Sequence, residues 1–239
     1  MAKIAIIGYG NVGYHFAKVL SYDHHISIYA KNPKEEVNPL DVFNPKGFDI
    51  IMLTVSDDAI KAVADSFETE TAIVLHASGS RPLSDLENHQ RRGVIYPLQT
   101  FSREKPVDFG NVQLFLESTP EAEDETKKIG ESISSKLKFL DSTERAKIHL
   151  AAVFACNFSN HMYRIADSML KEVNLEFNDI RSLVEETLIN ALELGPGKSQ
   201  TGPAKRKDVS TLALHENSIE DERLKEIYRM ISQSIQQFR

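Results

Sequence analysis

The chain has 239 residues, of which 41% are hydrophobic and 26% charged, with a formal net charge of −7. That is material for one large or two modest domains with a sizeable core, and the acidic balance argues against a nucleic-acid or anionic-membrane partner, each of which calls for a basic field. The single cysteine, Cys156, excludes an intrachain disulfide framework, no stretch approaches the ~20 apolar residues of a membrane span, and the first residues read as a strand rather than a signal peptide; the expectation is a soluble, cytoplasmic protein.

Residues 3–7 form an apolar, β-branched run that leads directly into Gly8-Tyr9-Gly10-Asn11-Val12-Gly13, after which residues 15–20 continue with helical spacing. Strand, tight turn and helix start are the context that gives G-x-G-x-x-G its meaning as a dinucleotide fingerprint. Gly8 permits the turn, Gly10 removes a Cβ from the path of a pyrophosphate, Gly13 lets helix and strand approach, and the helix N-terminus at Asn11 and Val12 offers amide groups to phosphate. Residues 26–29 read as the second strand, at whose end NAD-binding folds place a carboxylate on the ribose 2′-hydroxyl. This chain has Ala30-Lys31-Asn32 there. Lys31 and Asn32 can donate to a 2′-phosphate, so the reading is NADP; the alternative is that Lys31 only solvates a loop.

Three prolines between residues 32 and 47 predict loops with one short helical turn. Residues 49–55 are the next buried strand, and Ser56-Asp57-Asp58 has the chemistry of a helix N-cap. Thr54, Val55 and Ser56 should lie along the cofactor, because strand ends of a parallel sheet face its ligand crevice. Residues 71–75 form another apolar strand running into His76-Ala77-Ser78-Gly79-Ser80 at the same end of the sheet. That places Ser78 by the cofactor and makes His76 a candidate general acid or ligand, the alternative being hydrogen bonding within its own loop. Residues 93–100 read as a short strand closing on a proline turn, with Tyr96 and Gln99 as candidate donors. A sixth strand at 112–116, a helix entered through Thr119-Pro120 and a short strand at 139–140 complete a doubly wound, mostly parallel α/β sheet over residues 1–143.

From Arg145 to Glu172 apolar residues recur every three or four positions, too far for a crossover helix. A second helix is predicted from a cap at Asn178 to Gly195, and a third from Ser218 with Asp221 as its capping-box partner, running through Leu224, Ile227, Tyr228, Ile231 and Ile235 to Phe238. Residues 144–239 therefore form an all-helical domain. His149, Asn157, Asn160 and Arg164 share a polar face of the long helix, which either points into a substrate crevice or faces solvent. Residues 195–208 hold three glycines, two prolines and four cations between two helices. Pro203 should start a short helix, leaving Thr201 and Gly202 at its N-terminus with Arg206 and Asp208 close by; this is an anion site or a solvated basic turn. Thr211 and His215, one turn apart, can extend the same surface. The scattered histidines show no metal-ligand spacing, and Cys156, within an apolar helix, is expected in the core.

Taken together, Gly8 to Gly13, His76-Ala77-Ser78-Gly79, Tyr96-Pro97-Leu98-Gln99-Thr100-Phe101, His149 through Asn157-Phe158, and above all Thr201-Gly202-Pro203-Ala204-Lys205-Arg206-Lys207-Asp208 resemble a bacterial family of NADP-dependent oxidoreductases. The resemblance covers essentially the whole chain and implies a Rossmann-like N-terminal domain followed by a helical domain of unknown function. It extends distantly to the 6-phosphogluconate dehydrogenase-like and pyrroline-5-carboxylate reductase groups, whose helical domains dimerise and supply substrate contacts. The chain departs from the family at Tyr96, where a histidine is expected before Pro-Leu, and at Lys207, where glycine is usual. Two function classes follow. One is an NADPH-dependent reductase of a small, anionic carbonyl or imine, working as a homodimer, with His149, His76 and Asn157 as catalytic candidates and Asn160, Thr201, Gly202, Arg206 and Asp208 holding substrate. The other is a non-catalytic NADP-binding module that reports cofactor state to a protein partner.

Overall fold

A computed structural model describes residues 1–33 and 36–237; Phe238, expected on the last helix, lies outside the described residues. Two compact units divide the chain, Met1–His161 and Met162–Arg239. The first is built on an eight-stranded sheet of order β3-β2-β1-β4-β5-β6-β7-β8. Its strands are β1 (Lys3–Ile7), β2 (His25–Ala30), β3 (Asn38–Pro39), β4 (Ile50–Leu53), β5 (Ile73–His76), β6 (Arg92–Pro97), β7 (Leu114–Ser118) and β8 (Leu137–Phe139). All neighbours pair in parallel except β6 with β7, which is antiparallel.

The central strands are near-continuous apolar runs because both faces of the sheet are covered. Alternate residues of β1 serve the two faces: Ile4 and Ile6 pack with Phe16 and Leu20 of α1 (Asn11–Leu20) and Ile129 and Ile133 of α3 (Glu123–Ile133). Ala5 and Ile7 pack with Ile60 and Ala64 of α2 (Ile60–Ala64). The chain order reverses at β1, which pairs with β2 on one side and β4 on the other. The carboxyl ends of β1 and β4 therefore flank the place where an open α/β sheet receives its ligand. Strand β3 was not anticipated among the prolines of residues 32–47; Pro39 is tolerated there because β3 is an edge.

Residues 142–172 are helical throughout: α4 (Ser142–Ala152), a π-helical stretch Val153–Phe158, and α5 (Ser159–Glu172). A capping box fixes the start, with the Asp141 carboxylate accepting from Glu144 N–H at 2.8 Å and Glu144 from Asp141 N–H at 3.2 Å. Arg145, at 0% exposure, ties α4 to the sheet: it pairs with Glu117 of β7 and donates to the Arg81 carbonyl at 2.6 Å.

The second unit is helical, with the rest of α5, α6 (Arg181–Leu194), α7 (Pro196–Ser199), α8 (Pro203–Arg206), α9 (Val209–Ser218) and α10 (Glu222–Gln237). Two predicted caps move. Glu176, not Asn178, makes the reciprocal capping contacts with Asp179 before α6. Ser218 ends α9 rather than starting the last helix; Asp221 alone caps α10, accepting from Arg223 and Leu224 N–H at 2.8 and 3.1 Å. Helix α9 escaped prediction because Val209 and Leu214, at 75% and 65% exposure, break any amphipathic pattern along it. Among the described residues no helix is long and apolar enough to cross a membrane.

Candidate active site

A cavity of about 620 Å³ opens at the carboxyl ends of β1, β2 and β4, lined by Gly8, Gly10, Asn11, Lys31, Asn32, Thr54, Val55, Ser56 and Arg103 among others. Gly8 has φ +100°, and a Cβ on it would lie 2.6 Å from the Val55 nitrogen. A Cβ on Gly13 would collide with the Gly8 carbonyl and stand 2.6 Å from Thr54 Oγ1, while Thr54 Oγ1 itself donates to the Gly8 carbonyl at 2.7 Å. Thr54 thus holds the turn as well as lining the crevice. A Cβ on Gly10 would meet nothing within 4 Å, so the space beside it on the crevice is open. Gly10 is also the N-cap of α1 and supplies no side-chain acceptor, which leaves the first amides of the helix for an anion. Ala30, Lys31 and Asn32 line the crevice where β2 ends, and among its described lining residues there is no carboxylate.

A second cavity, of about 460 Å³, shares Asn11 with the first and carries the titratable groups. Val12, Ser78, Tyr96, Gln99, His149 and Asn157 lie on its lining. The Tyr96 hydroxyl lies 3.1 Å from His149 Nδ1, and the two rings meet edge to face at 5.8 Å. Strand β6 delivers Tyr96 and α4 delivers His149, 53 residues apart in sequence. Burial pushes the Tyr96 phenol up, Asp57 adds to the effect and Arg145 opposes it, so the hydroxyl keeps its proton at neutral pH. Gly79 makes the pair possible: a Cβ there would lie 2.6 Å from Tyr96 Cζ and 2.7 Å from His149 Nδ1.

His76 sits beneath this surface and lines neither cavity. It is fully buried, its Nδ1 accepts from Ser78 N–H at 3.2 Å, and burial reinforced by the Arg145 charge lowers its pKa to about 4. Ser78 organises the next turn, its hydroxyl accepting from Ser80 and Arg81 N–H, each at 3.1 Å. The π-helical stretch bears on the same cavity: Asn157 and Cys156 reach the lining, whereas Asn160 is exposed and lies off it. The expectation that Cys156 is core is therefore corrected; it is exposed, and the π-helical stretch presents Val153, Cys156 and Asn157 to the cavity.

In the helical unit, Thr201 and Gly202 line a separate, mostly apolar cavity of about 380 Å³ together with His215 and Tyr228, whose Nδ1 and hydroxyl are 3.0 Å apart. Gly202 is the N-cap of α8 with φ +97°, as the proline at its first helical position suggested. Arg206 ends α8. Asp208 is the N-cap of α9, its carboxyl held below the usual range first by the Thr211 N–H and then by the hydroxyls of Thr211 and Ser210. Lys207 adopts φ +57°, the left-handed conformation that glycine takes without strain, which accounts for the glycine expected there. Among the described residues no three His, Cys, Asp or Glu side chains gather as a metal site would require.

Two site residues were missed in the roles the structure gives them. Arg103 follows no motif, and Gly79 was legible only as part of a polar turn, since its role depends on two side chains distant in sequence.

The family model for a domain of unknown function, DUF2520, matches residues 112–235. No curated protein matches the chain in sequence. Among solved structures, a Bacteroides fragilis protein described as a candidate NADP oxidoreductase is 32% identical, with 98% of each chain covered and a TM-score of 0.88. A Thermotoga maritima protein is 20% identical over 97% of this chain and 100% of its own, with a TM-score of 0.76. An Aspergillus terreus reductive aminase in complex with NADPH and ethyl levulinate shares the fold at 14% identity, covering 100% of this chain and 95% of that one, with a TM-score of 0.72. The chain belongs to the family defined by the domain of unknown function DUF2520, whose matched residues 112–235 run from β7 of the sheet into the helical unit.

Proposed function

We propose that the chain is an NADPH-dependent reductase of a small imine or carbonyl compound, with Tyr96 and His149 as its proton-donating pair. The observation that carries this reading is the 3.1 Å contact between Tyr96 and His149 on a cavity that shares Asn11 with the glycine-turn crevice. The residues present fit a phosphorylated dinucleotide: Gly10 faces open space, the start of α1 is uncapped by any side chain, and Lys31 and Asn32 stand where a ribose 2′-phosphate needs donors. When bound, NADPH supplies the hydride.

Tyr96 Oη would give its proton to the imine nitrogen or carbonyl oxygen and so make the adjacent carbon electrophilic toward hydride. His149 Nδ1, 3.1 Å from the phenolic oxygen, would relay a proton from solvent to the phenolate left behind. A phenol kept protonated by burial suits a strongly basic acceptor, and Asn157 can orient the substrate through hydrogen bonds. We assign His76 to holding the Ser78 turn, since a buried imidazole with a pKa near 4 is uncharged at neutral pH and is no general acid there.

Of the two substrate classes the lining favours the imine. No Lys or Arg is among its described residues while the Asp57 carboxylate is, and an imine gains positive charge on protonation. The test is NADPH consumption with a panel of cyclic imines, keto acids and aldehydes. Turnover of an imine that falls about 100-fold or more in Tyr96→Phe is expected. Silence across the panel with cofactor bound would point instead to the module without chemistry.

We also infer a homodimer. Leu183, Leu192 and Met230 are 65%, 77% and 70% exposed on the helical unit, and a second copy of the chain is the partner that would cover them.

A further inference from the structure

We propose that Arg103 is a clamp on the pyrophosphate of the dinucleotide, reaching the glycine turn from the opposite half of the sheet. The inference rests on the dinucleotide reading and adds a cation that the fingerprint does not contain. Arg103 lies on the connection between β6 and β7, and two contacts strap that connection to α1. Asn11 Nδ2 donates to the Phe101 carbonyl at 3.0 Å, and His15 Nε2 donates to the Ser102 carbonyl at 2.9 Å. The His15 ring is buried and lies 5.3 Å from the Phe101 ring, so the strap is packed as well as hydrogen-bonded.

The strap sets the guanidinium over the turn. Its Cζ is 4.9 Å from the centroid of Tyr9 and 5.3 Å from that of Tyr14, and Nη2 donates to the Tyr9 carbonyl, between Gly8 and Gly10. Cation–π contact with two rings fixes the plane of the guanidinium. One of its five N–H groups is engaged by Tyr9, leaving the others to bind two phosphate oxygens side by side, which ammonium geometry does not match. Among the described residues no carboxylate lies within 4.0 Å of it. Arg103 and Gly10 line the same cavity, and the space beside Gly10 is open. In a chain of net charge −7 a diphosphate needs such a local cation.

The helix N-terminus and Arg103 would then hold the pyrophosphate, with Lys31 left for the 2′-phosphate. The two cations are separable with two nucleotides. Affinities of the full chain for NADPH and NADH are measured by cofactor fluorescence over a salt series, for wild type, Arg103→Gln, Arg103→Lys and Lys31→Ala. Arg103→Gln keeps the stem over the tyrosine rings, and an unchanged apo unfolding temperature shows that the fold is intact.

Arg103→Gln should weaken NADPH and NADH by the same factor, about 10- to 100-fold, and flatten the salt dependence of both. Arg103→Lys should recover part of the loss, and Lys31→Ala should weaken NADPH alone. Unchanged affinity for both nucleotides in Arg103→Gln overturns the clamp while leaving the dinucleotide reading intact. Loss confined to NADPH overturns it too, by placing Arg103 on the 2′-phosphate. Failure of the wild type to bind either nucleotide overturns the dinucleotide reading, and the clamp with it.

Discussion

Replacing Gly79 by alanine should dismantle the proposed proton-donating pair with a single methyl group. The added Cβ would lie 2.6 Å from Tyr96 Cζ, 2.7 Å from His149 Nδ1 and 2.8 Å from Tyr96 Cε2, where ordinary carbon contacts are ~3.5–4 Å. About 1 Å must open. Tyr96 cannot retreat easily: its strand pairs with β7 at Phe115, its ring stacks on Phe115 and only 9% of it is exposed. Overpacking of this kind costs about 1–3 kcal/mol, and loss of the Tyr96–His149 hydrogen bond contributes about 1 kcal/mol within that range. For a chain of this size that is a fall of roughly 2–12 °C in unfolding temperature, read by circular dichroism. A misplacement of about 1 Å at the donor should lower kcat/KM roughly 100-fold. NADPH affinity should hold, because Gly79 is not on the dinucleotide crevice. Adding Tyr96→Phe to Gly79→Ala should cost little more turnover, since the pair is already broken. Wild-type stability and turnover in Gly79→Ala would refute the reasoning.

The remaining predictions concern stability and assembly. His76 has a folded-state pKa of about 4 against an ordinary 6.5, so the unfolded chain binds more protons between these values. Its contribution, about 3 kcal/mol, is present above pH 6.5 and is lost as the pH falls toward 4; His76→Asn, whose carbonyl can still accept from Ser78 N–H, should flatten that part of the urea-stability profile. Arg145→Met strands the Glu117 carboxylate, 17% exposed, without its partner and should destabilise the chain by about 3–5 kcal/mol in urea; adding Glu117→Gln should restore part of the loss. Light scattering at micromolar concentration should give the mass of two chains, and a monomer would remove the dimer.

What was legible from sequence was local. The β1 run, the glycine turn and the start of α1 lie within twenty residues, and each glycine's task follows from backbone geometry alone. Thr54 and Ser56 could be placed by the rule that parallel strands present their carboxyl ends to the ligand, although the hydrogen bond by which Thr54 pins Gly8 could not. The antiparallel β6–β7 pairing was not legible, because periodicity reports burial and not strand direction. The π-helical stretch was equally silent, and it is what separates Asn157 from Asn160 and carries Cys156 to a cavity surface. Tyr96 was visible as a candidate donor on a strand and His149 as part of a polar helix face; their pairing, and the need for Gly79 beside them, exists only once β6 and α4 pack. Asp208 was read as a substrate group from its place in a cationic turn; that its carboxylate accepts from the Thr211 N–H and the Ser210 and Thr211 hydroxyls could be seen only in the structure.

The central claim is that the glycine-turn crevice binds a 2′-phosphorylated dinucleotide. Fluorescence titration of the purified chain with NADPH and with NADH tests it most directly. One charge-assisted contact from Lys31 to the 2′-phosphate supplies about 1.5–3 kcal/mol, so NADPH should bind at least roughly tenfold more tightly than NADH, and the preference should collapse in Lys31→Ala. Equal affinities for the two nucleotides, or a preference for NADH, would contradict the account.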